Sequence, residues 1–185
     1  MSPLSRRAVI TGALCSLIGR PMPALATPTP PSELRTELPK ARLIGQGALR
    51  FFGLLVYDAR LWAPPKFQAD RYEQQPFALE LTYARKLDGE AIAERSIAEM
   101  RRVAPFDDAQ EKRWLATMKA AFPDVGANDR LLGLNDGQGG VRFFHNGRQT
   151  AQLDDREYAR LFFGIWLAPQ TSAPALRAAL LGLSE

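Results

Sequence analysis

The chain has few of the side chains on which nucleophilic and metal chemistry most often depends. Its 185 residues include one cysteine, Cys15, and one histidine, His145. A single cysteine excludes an intrachain disulfide, and a zinc site needs more Cys and His ligands than this pair supplies. The acidic pairs Asp107–Asp108 and Asp154–Asp155 precede predicted helices, where capping accounts for them. We therefore expect no metal, no cofactor and no thiolate nucleophile.

The apolar run nearest the N-terminus is too short to cross a bilayer. Ala8–Gly19 has 12 residues, whereas a transmembrane helix needs ~20. Arg6 and Arg7 precede this run, and Pro21–Ala26 follows it with a helix break and small residues. This order is typical of a cleavable signal peptide over residues 1–26, and it predicts a periplasmic or secreted bacterial protein. Ser5–Ile10 resembles the twin-arginine export motif. The general secretory route and a buried N-terminal helix are the alternatives.

Removal of this segment would change the overall charge. The whole chain carries 24 basic and 20 acidic residues, and three of the basic ones are Arg6, Arg7 and Arg20. The remainder has 21 basic and 20 acidic residues, a net charge of about +1, so nucleic-acid binding is not expected. Cys15 would also be removed, and no stable membrane anchor is expected after cleavage. We predict a solvated tether over residues 27–40 and one domain over residues 41–185.

Alternation of apolar and polar residues predicts the strands. Leu49–Trp62 is interpreted as one long strand, with Gly53 as a bulge or a point of close backbone approach. Phe77–Arg85 alternates in the same way. Three further runs suggest a meander with a tight turn at Asn146–Gly147: Leu131–Leu134, Val141–Phe144 and Arg148–Leu153.

Apolar residues at helical spacing predict four helices between and after these strands. The first covers Gly89–Val103, and Asp107 or Asp108 caps the second. Asp154 and Ser172 are predicted to cap the last two. The order along the chain is therefore strands, two helices, strands and two more helices. This order indicates an α+β fold with helices packed on an antiparallel sheet.

Two tyrosines occupy otherwise apolar strand positions. Tyr57 and Tyr83 share the buried parity of their strands, and Arg85 follows Tyr83 on the same parity. A buried tyrosine needs a partner for its hydroxyl, and an arginine beside an apolar cleft suits a carboxylate. The alternative is that these side chains lie at the wet rim of the sheet. A sheet roofed by helices is a common place for an elongated apolar ligand.

Five segments together point to a known family: Gly47–Pro64, Leu79–Tyr83, Ala93–Met100, Phe122–Val125 and Phe163–Leu167. They resemble bacterial chalcone isomerase-like proteins, and the resemblance extends from about residue 43 to residue 182. It implies the chalcone isomerase fold, in which a large antiparallel β-sheet is covered on one face by a layer of α-helices. The ligand cleft of that fold lies between the two layers.

The resemblance also implies candidate site residues. In plant enzymes of this fold, an arginine before the long strand and a threonine on it organise ring closure of a chalcone. Here the basic residues before the strand are Lys40 and Arg42, and the threonine position falls near Phe52. The later tyrosine and asparagine of the enzymes align near Asp88 and Arg95.

Other members of that fold lack the enzymatic activity and bind fatty acids through an arginine and a tyrosine. We therefore expect non-catalytic binding of a small amphipathic acid, aliphatic or aromatic, by Arg42, Tyr57, Tyr83 and Arg95. An isomerase or intramolecular lyase is one alternative. The other is a structural partner in an envelope complex, whose cleft would be filled by side chains.

Overall fold

A computed structural model describes residues 28–183. The strands are β1 (Arg42–Phe51), β2 (Leu54–Ala63), β3 (Phe77–Tyr83), β4 (Arg130–Asn135), β5 (Gly140–His145) and β6 (Arg148–Asp154). The helices are α1 (Ser32–Glu37), α2 (Gly89–Val103), α3 (Asp108–Ala121), α4 (Arg156–Leu167) and α5 (Pro174–Leu181), with a short 3-10 helix at Ala69–Gln74. The predicted signal peptide lies outside the described residues.

The six strands form one antiparallel sheet in the order β1-β2-β3-β4-β5-β6. Each strand therefore pairs with its neighbour in sequence, and the two helices α2 and α3 are inserted between β3 and β4. Asn146 and Gly147 take φ values of 50° and 86° at the β5–β6 turn, which confirms the predicted tight turn. The α+β class and the antiparallel sheet are likewise confirmed.

The prediction of one strand over residues 49–62 is wrong. The chain reverses at Phe52 and Gly53, whose φ values are 47° and 78°, and Phe51 pairs with Leu54 across the turn. Two successive positive φ values are the geometry of a two-residue hairpin turn, and glycine takes such a value without strain. Gly53 is therefore a turn residue and not a bulge. Among residues 28–183, apart from its neighbours in the chain, no atom lies within 4 Å of where a Cβ atom on Gly53 would be.

Helices α2–α5 cover one face of the sheet and enclose the main core. Their caps differ in part from the predicted ones. An aspartate caps α3, as expected: it is Asp107, which also forms a capping box with Gln110. Asp155 rather than Asp154 caps α4, because its carboxylate accepts from two N–H groups of the first turn. Ala173 rather than Ser172 precedes α5, which starts with Pro174 and has no side-chain cap.

The opposite face of the sheet is partly covered by α1, within the segment predicted to be a solvated tether. Leu34 and Leu38 are buried there against a second apolar cluster around Trp62. Glu33 of α1 pairs with Arg130 of β4. The tether prediction fails because two apolar residues at helical spacing in residues 32–38 outweigh the prolines that precede them.

Helix α5 lies unusually close to β1. A Cβ atom on Gly45 would lie 2.2 Å from the carbonyl oxygen of Ala179 and 2.5 Å from that of Leu180. Only glycine permits this approach, which closes one edge of the helical layer over the sheet. Across residues 28–183, none of the helices combines the length and the apolar character needed to cross a bilayer.

Candidate ligand cavity

A cavity of about 560 Å³ lies between the sheet and the helical layer. Its walls are predominantly apolar. Leu49, Val56 and Leu81 contribute from the strands, while Ile92, Phe162 and Ile165 contribute from α2 and α4. The strand residues face the helices because side chains alternate across a sheet, and the helix residues lie on the buried stripe of an amphipathic helix. The fold thus leaves unfilled space in the layer where the core would otherwise close.

Tyr57 and Tyr83 supply the polar groups of the sheet wall. They are direct cross-strand partners on β2 and β3, and their rings meet edge to face with centroids 5.8 Å apart. The Tyr57 hydroxyl accepts a hydrogen bond of 2.9 Å from the indole nitrogen of Trp166 on α4. Within residues 28–183, neither tyrosine hydroxyl donates a hydrogen bond to the protein. Both hydroxyl protons are thus available to a ligand.

Burial makes both tyrosines harder to ionise. It raises the pKa of Tyr57 to about 12, with the Trp166 hydrogen bond and the Arg95 charge opposing the shift and the Glu99 charge adding to it. It also raises the pKa of Tyr83, and the adjacent Tyr57 adds to that shift. At neutral pH each phenol is therefore a donor and not a phenolate.

A charged group on α2 borders the same part of the cavity. Arg95 donates a hydrogen bond to the carboxylate of Glu99, a residue that is 7% exposed. Arg102 lies one helical turn beyond Glu99 and also pairs with its carboxylate, at 3.6 Å. Two arginines thus face one carboxylate, and the Arg95 side chain is still 68% exposed. The charge of this group is net positive.

Two further arginines line the cavity near its opening. Arg50 lies at the end of β1, where its guanidinium donates to the carbonyl oxygen of Gly53 at 3.2 Å. Arg85 follows β3 and is exposed. Among the residues that the structure describes, Arg85 makes no ion pair and no side-chain hydrogen bond. It is thus a free cation at the rim of an apolar space.

Three of the four predicted contact residues line this cavity: Tyr57, Tyr83 and Arg95. Arg42 does not line it, because it begins β1 opposite Ala63, at the end of the hairpin remote from the β1–β2 turn. Phe52 is 89% exposed at that turn and does not face the cavity either. The comparison with a catalytic threonine therefore has no structural basis at this position.

The sequence interpretation missed Trp166 and Glu99 as polar wall residues. In the sequence, Trp166 falls on the apolar spacing of α4 and Glu99 lies among charged residues of α2, so the pattern marks neither as a polar wall residue. The available signal was that a buried indole N–H needs an acceptor just as a buried phenol needs a partner. Which tryptophan meets which tyrosine depends on how α4 crosses β2, which the sequence pattern does not specify.

Both carboxylates that line the cavity already have partners. Asp88 caps α2 by accepting from the Ala91 N–H at 2.9 Å, and Glu99 is held by the two arginines. His145 lies at the end of β5 and is not part of the lining. Within residues 28–183, no three His, Cys, Asp or Glu side chains are grouped so that they could hold a metal ion.

Comparison with known proteins agrees with this architecture. The sequence profile described as chalcone isomerase-like matches residues 26–182. An uncharacterized protein of Haemophilus influenzae is 30% identical over 112 residues, which cover 60% of this chain and 54% of that protein. The chain thus matches about half the length of this relative.

A crystal structure of an Arabidopsis thaliana fatty-acid binding protein has a similar fold. The TM-score is 0.61 at 13% sequence identity, over 77% of this chain and 87% of the plant chain. At that identity the likeness concerns the fold alone. The family profile spans nearly all of the described residues, and the sheet, the helical layer and the cavity between them match the architecture expected of that family. The chain belongs to the chalcone isomerase-like family.

Proposed function

We propose that this domain binds a small amphipathic acid, a fatty acid or an aromatic acid, without transforming it. The observation that carries the proposal is the cavity of about 560 Å³ with apolar walls and polar groups gathered on one side. Ligand pockets are commonly ~300–1,000 Å³ and mostly apolar, with a few polar groups that fix orientation. A cleft filled by side chains, as expected of a purely structural partner, would leave no such space.

The polar side of the cavity favours an acidic head group. Tyr57 and Tyr83 offer two phenolic protons, and their raised pKa values keep both groups protonated well above neutral pH. Arg85 and Arg95 bring positive charge to the same rim. Glu99 opposes an anion, but Arg95 and Arg102 more than balance its charge. Hydrogen bonds to a carboxylate from such donors are stronger than those between neutral groups.

The same geometry favours binding over catalysis. Ring closure and isomerisation need a group that accepts a proton, and the two lining carboxylates are held by a helix N-terminus and by arginines. Tyr57 and Tyr83 are protonated and act as donors. The fatty-acid binding function named for the Arabidopsis thaliana structure belongs to that protein, and it supports the same ligand class here.

We further propose that the domain acts outside the cytoplasm. This proposal rests on residues 1–26, in which Arg6 and Arg7, a 12-residue apolar run and small residues before Thr27 follow the order of an export signal. These residues lie outside the described part of the structure.

Calorimetric titration with saturated fatty acids of graded chain length tests the ligand class. Each buried methylene should add up to ~0.8 kcal/mol of binding free energy until the cavity is full. Arg95→Gln should weaken binding about ten- to a hundredfold, since a hydrogen bond to a charged group contributes roughly 1.5–3 kcal/mol. Arg42→Gln is the matched control, because Arg42 is an exposed arginine that does not line the cavity. It should bind as the wild type does.

Tyr83→Phe separates binding from folding. The Tyr83 hydroxyl makes no hydrogen bond within the described residues, so its removal should leave the melting temperature nearly unchanged and weaken acid binding several-fold. If no fatty or aromatic acid binds, or if affinity is independent of both chain length and Arg95, the binding proposal is wrong. A chalcone cyclisation assay on the same samples should show no rate above background. Turnover there would establish the isomerase alternative.

A further inference from the structure

We infer that the tip of the β1–β2 hairpin docks reversibly on an anionic lipid bilayer and opens the cavity toward it. The tip consists of Phe51, Phe52 and Leu54 with the turn residue Gly53. The docking itself is independent of the ligand. The further step, exchange of an acyl chain between bilayer and cavity, rests on the proposed function.

Three of the four large hydrophobic side chains that are exposed among the described residues lie at this tip. Phe51 is 61% exposed, Phe52 89% and Leu54 55%. The two phenyl rings touch edge to face with centroids 4.5 Å apart, so they form one patch. A contiguous exposed apolar patch on a soluble domain usually marks an interaction surface. A turn requires neither of the phenylalanines, since small polar residues suit it better.

The patch is continuous with the rim of the cavity. Arg50 and Phe51 both line the cavity, and Phe51 is at the same time part of the exposed tip. A chain leaving the cavity past Phe51 therefore meets Phe52 and Leu54 before it meets bulk water. If the tip lies among lipid acyl chains, apolar contact is unbroken from the bilayer to the cavity.

Basic residues adjoin the patch. Arg50 is held against the turn by its hydrogen bond to the Gly53 carbonyl. Arg85 and Lys86 follow β3, whose end pairs with β2 beside the hairpin, since the Ala84 N–H donates to the Val56 carbonyl. Aromatic residues flanked by arginine and lysine are typical of segments that insert into the head-group region of anionic membranes.

The size of the patch favours a bilayer over a protein partner. A stable protein interface buries ~800 Å² on each partner. Three partly exposed side chains supply much less, because an aromatic side chain contributes about 150–250 Å² when it is fully buried. Membrane insertion has no such minimum area, since binding strength simply grows with the apolar area inserted and with charge attraction. The occupant that fits this tip is therefore an anionic lipid surface.

The test uses the full chain carrying Phe52→Trp. The three native tryptophans are buried, with 1%, 0% and 7% exposure for Trp62, Trp114 and Trp166, so the introduced indole is the only exposed one in the described residues. Vesicles of phosphatidylcholine with phosphatidylglycerol should shift its emission to the blue and protect it from acrylamide. Leu183→Trp is the matched control, since Leu183 is 53% exposed beyond α5. Its emission should not change.

Because the readout is local to position 52, binding of vesicles through residues 1–27 does not imitate it. An unchanged emission of the Phe52→Trp protein with anionic vesicles overturns the inference. So does an equal shift in the Leu183→Trp protein. Light scattering must also show a monomer, since a dimer that dissociates on Phe52→Ser would mean that the tip contacts a second copy of the chain.

A double variant separates this inference from the proposed function. Phe52→Ser with Leu54→Ser should reduce co-sedimentation with anionic vesicles about tenfold or more, while titration with a soluble short-chain acid remains unchanged, because neither residue lines the cavity. If the protein binds no acid but its tip inserts normally, the binding proposal alone is refuted. If it binds the acid normally but its tip does not insert, the docking inference alone is refuted.

Discussion

The indole nitrogen of Trp166 donates a 2.9 Å hydrogen bond to the hydroxyl of Tyr57 and so joins α4 to β2. The two residues are 109 positions apart in sequence and both are buried. The bond satisfies the Trp166 donor and uses the acceptor side of the Tyr57 hydroxyl. It leaves the phenolic proton directed to other partners, which is the state that a ligand-binding tyrosine requires.

Tyr57→Phe should destabilise the protein by about 1–3 kcal/mol, because it leaves the Trp166 N–H buried without an acceptor. Tyr83→Phe is the control, since it removes no hydrogen bond within the described residues and should cost much less. The free energy of unfolding is measured by urea titration of both variants and of Trp166→Phe. In a double-mutant cycle, Tyr57 and Trp166 should couple by about 1 kcal/mol. A coupling energy of zero would contradict the bond.

Stability should fall as the pH rises above 10. Burial raises the pKa of Tyr57 from 10.0 to about 12, so the folded state keeps a proton that the unfolded state loses. The contribution is complete below pH 10 and is lost as the pH passes through 12, by about 2–3 kcal/mol for this one group. Urea titrations at several pH values from about 8 to about 11.5 measure this loss of stability. Tyr57→Phe should make the alkaline slope shallower, and the slope that remains reflects Tyr72, Tyr83 and Tyr158, whose pKa values burial also raises. An unchanged slope would show that the pKa of Tyr57 is the same in the folded and unfolded states.

Gly45→Ala should destabilise the protein by about 1–3 kcal/mol, because its methyl group would lie 2.2 Å from the Ala179 carbonyl oxygen and force α5 away from β1. Gly126→Ala is a suitable control, since the nearest atom to its methyl group would be a carboxylate oxygen at 3.6 Å. Thermal melts of the two variants give the difference. Equal melting temperatures would mean that α5 does not pack as closely as described.

Cleavage of the exported chain should occur before Thr27. N-terminal sequencing of the protein purified from the bacterial envelope measures this, and an N-terminus within a few residues of Thr27 is expected. Replacing both Arg6 and Arg7 by lysine should block export through the twin-arginine route. Normal export of that variant would assign the general secretory route. Retention of Met1 on a cytoplasmic protein would refute the export proposal.

The sequence was most informative where local chemistry decides the structure. The limits of α2, Gly89–Val103, follow from its apolar stripe, and the structure adds Asp88 as its cap. The β5–β6 turn follows from Asn146–Gly147, the pair that best tolerates positive φ. The reversal at Phe52–Gly53 was missed because phenylalanine rarely takes a positive φ, so the apolar residues on both sides read as one continuous strand.

For the site, parity alone was enough to select Tyr57 and Tyr83, because side chains on neighbouring strands alternate between two faces. Arg42 could not be judged in this way. Its distance from the cavity depends on where the chain reverses, and with one long strand in place of a hairpin its position along the sheet was misjudged.

By itself, the sequence determined the α+β class, the main helices, the last hairpin and two polar residues on the buried face of the sheet. Each of these depends on periodicity or on the φ preference of one or two residues. Only the tertiary structure decided that Trp166 meets Tyr57, that Glu99 lies between Arg95 and Arg102 and that space remains between sheet and helices. These features arise where elements distant in sequence pack together, and their geometry is set by the shapes of many side chains at once.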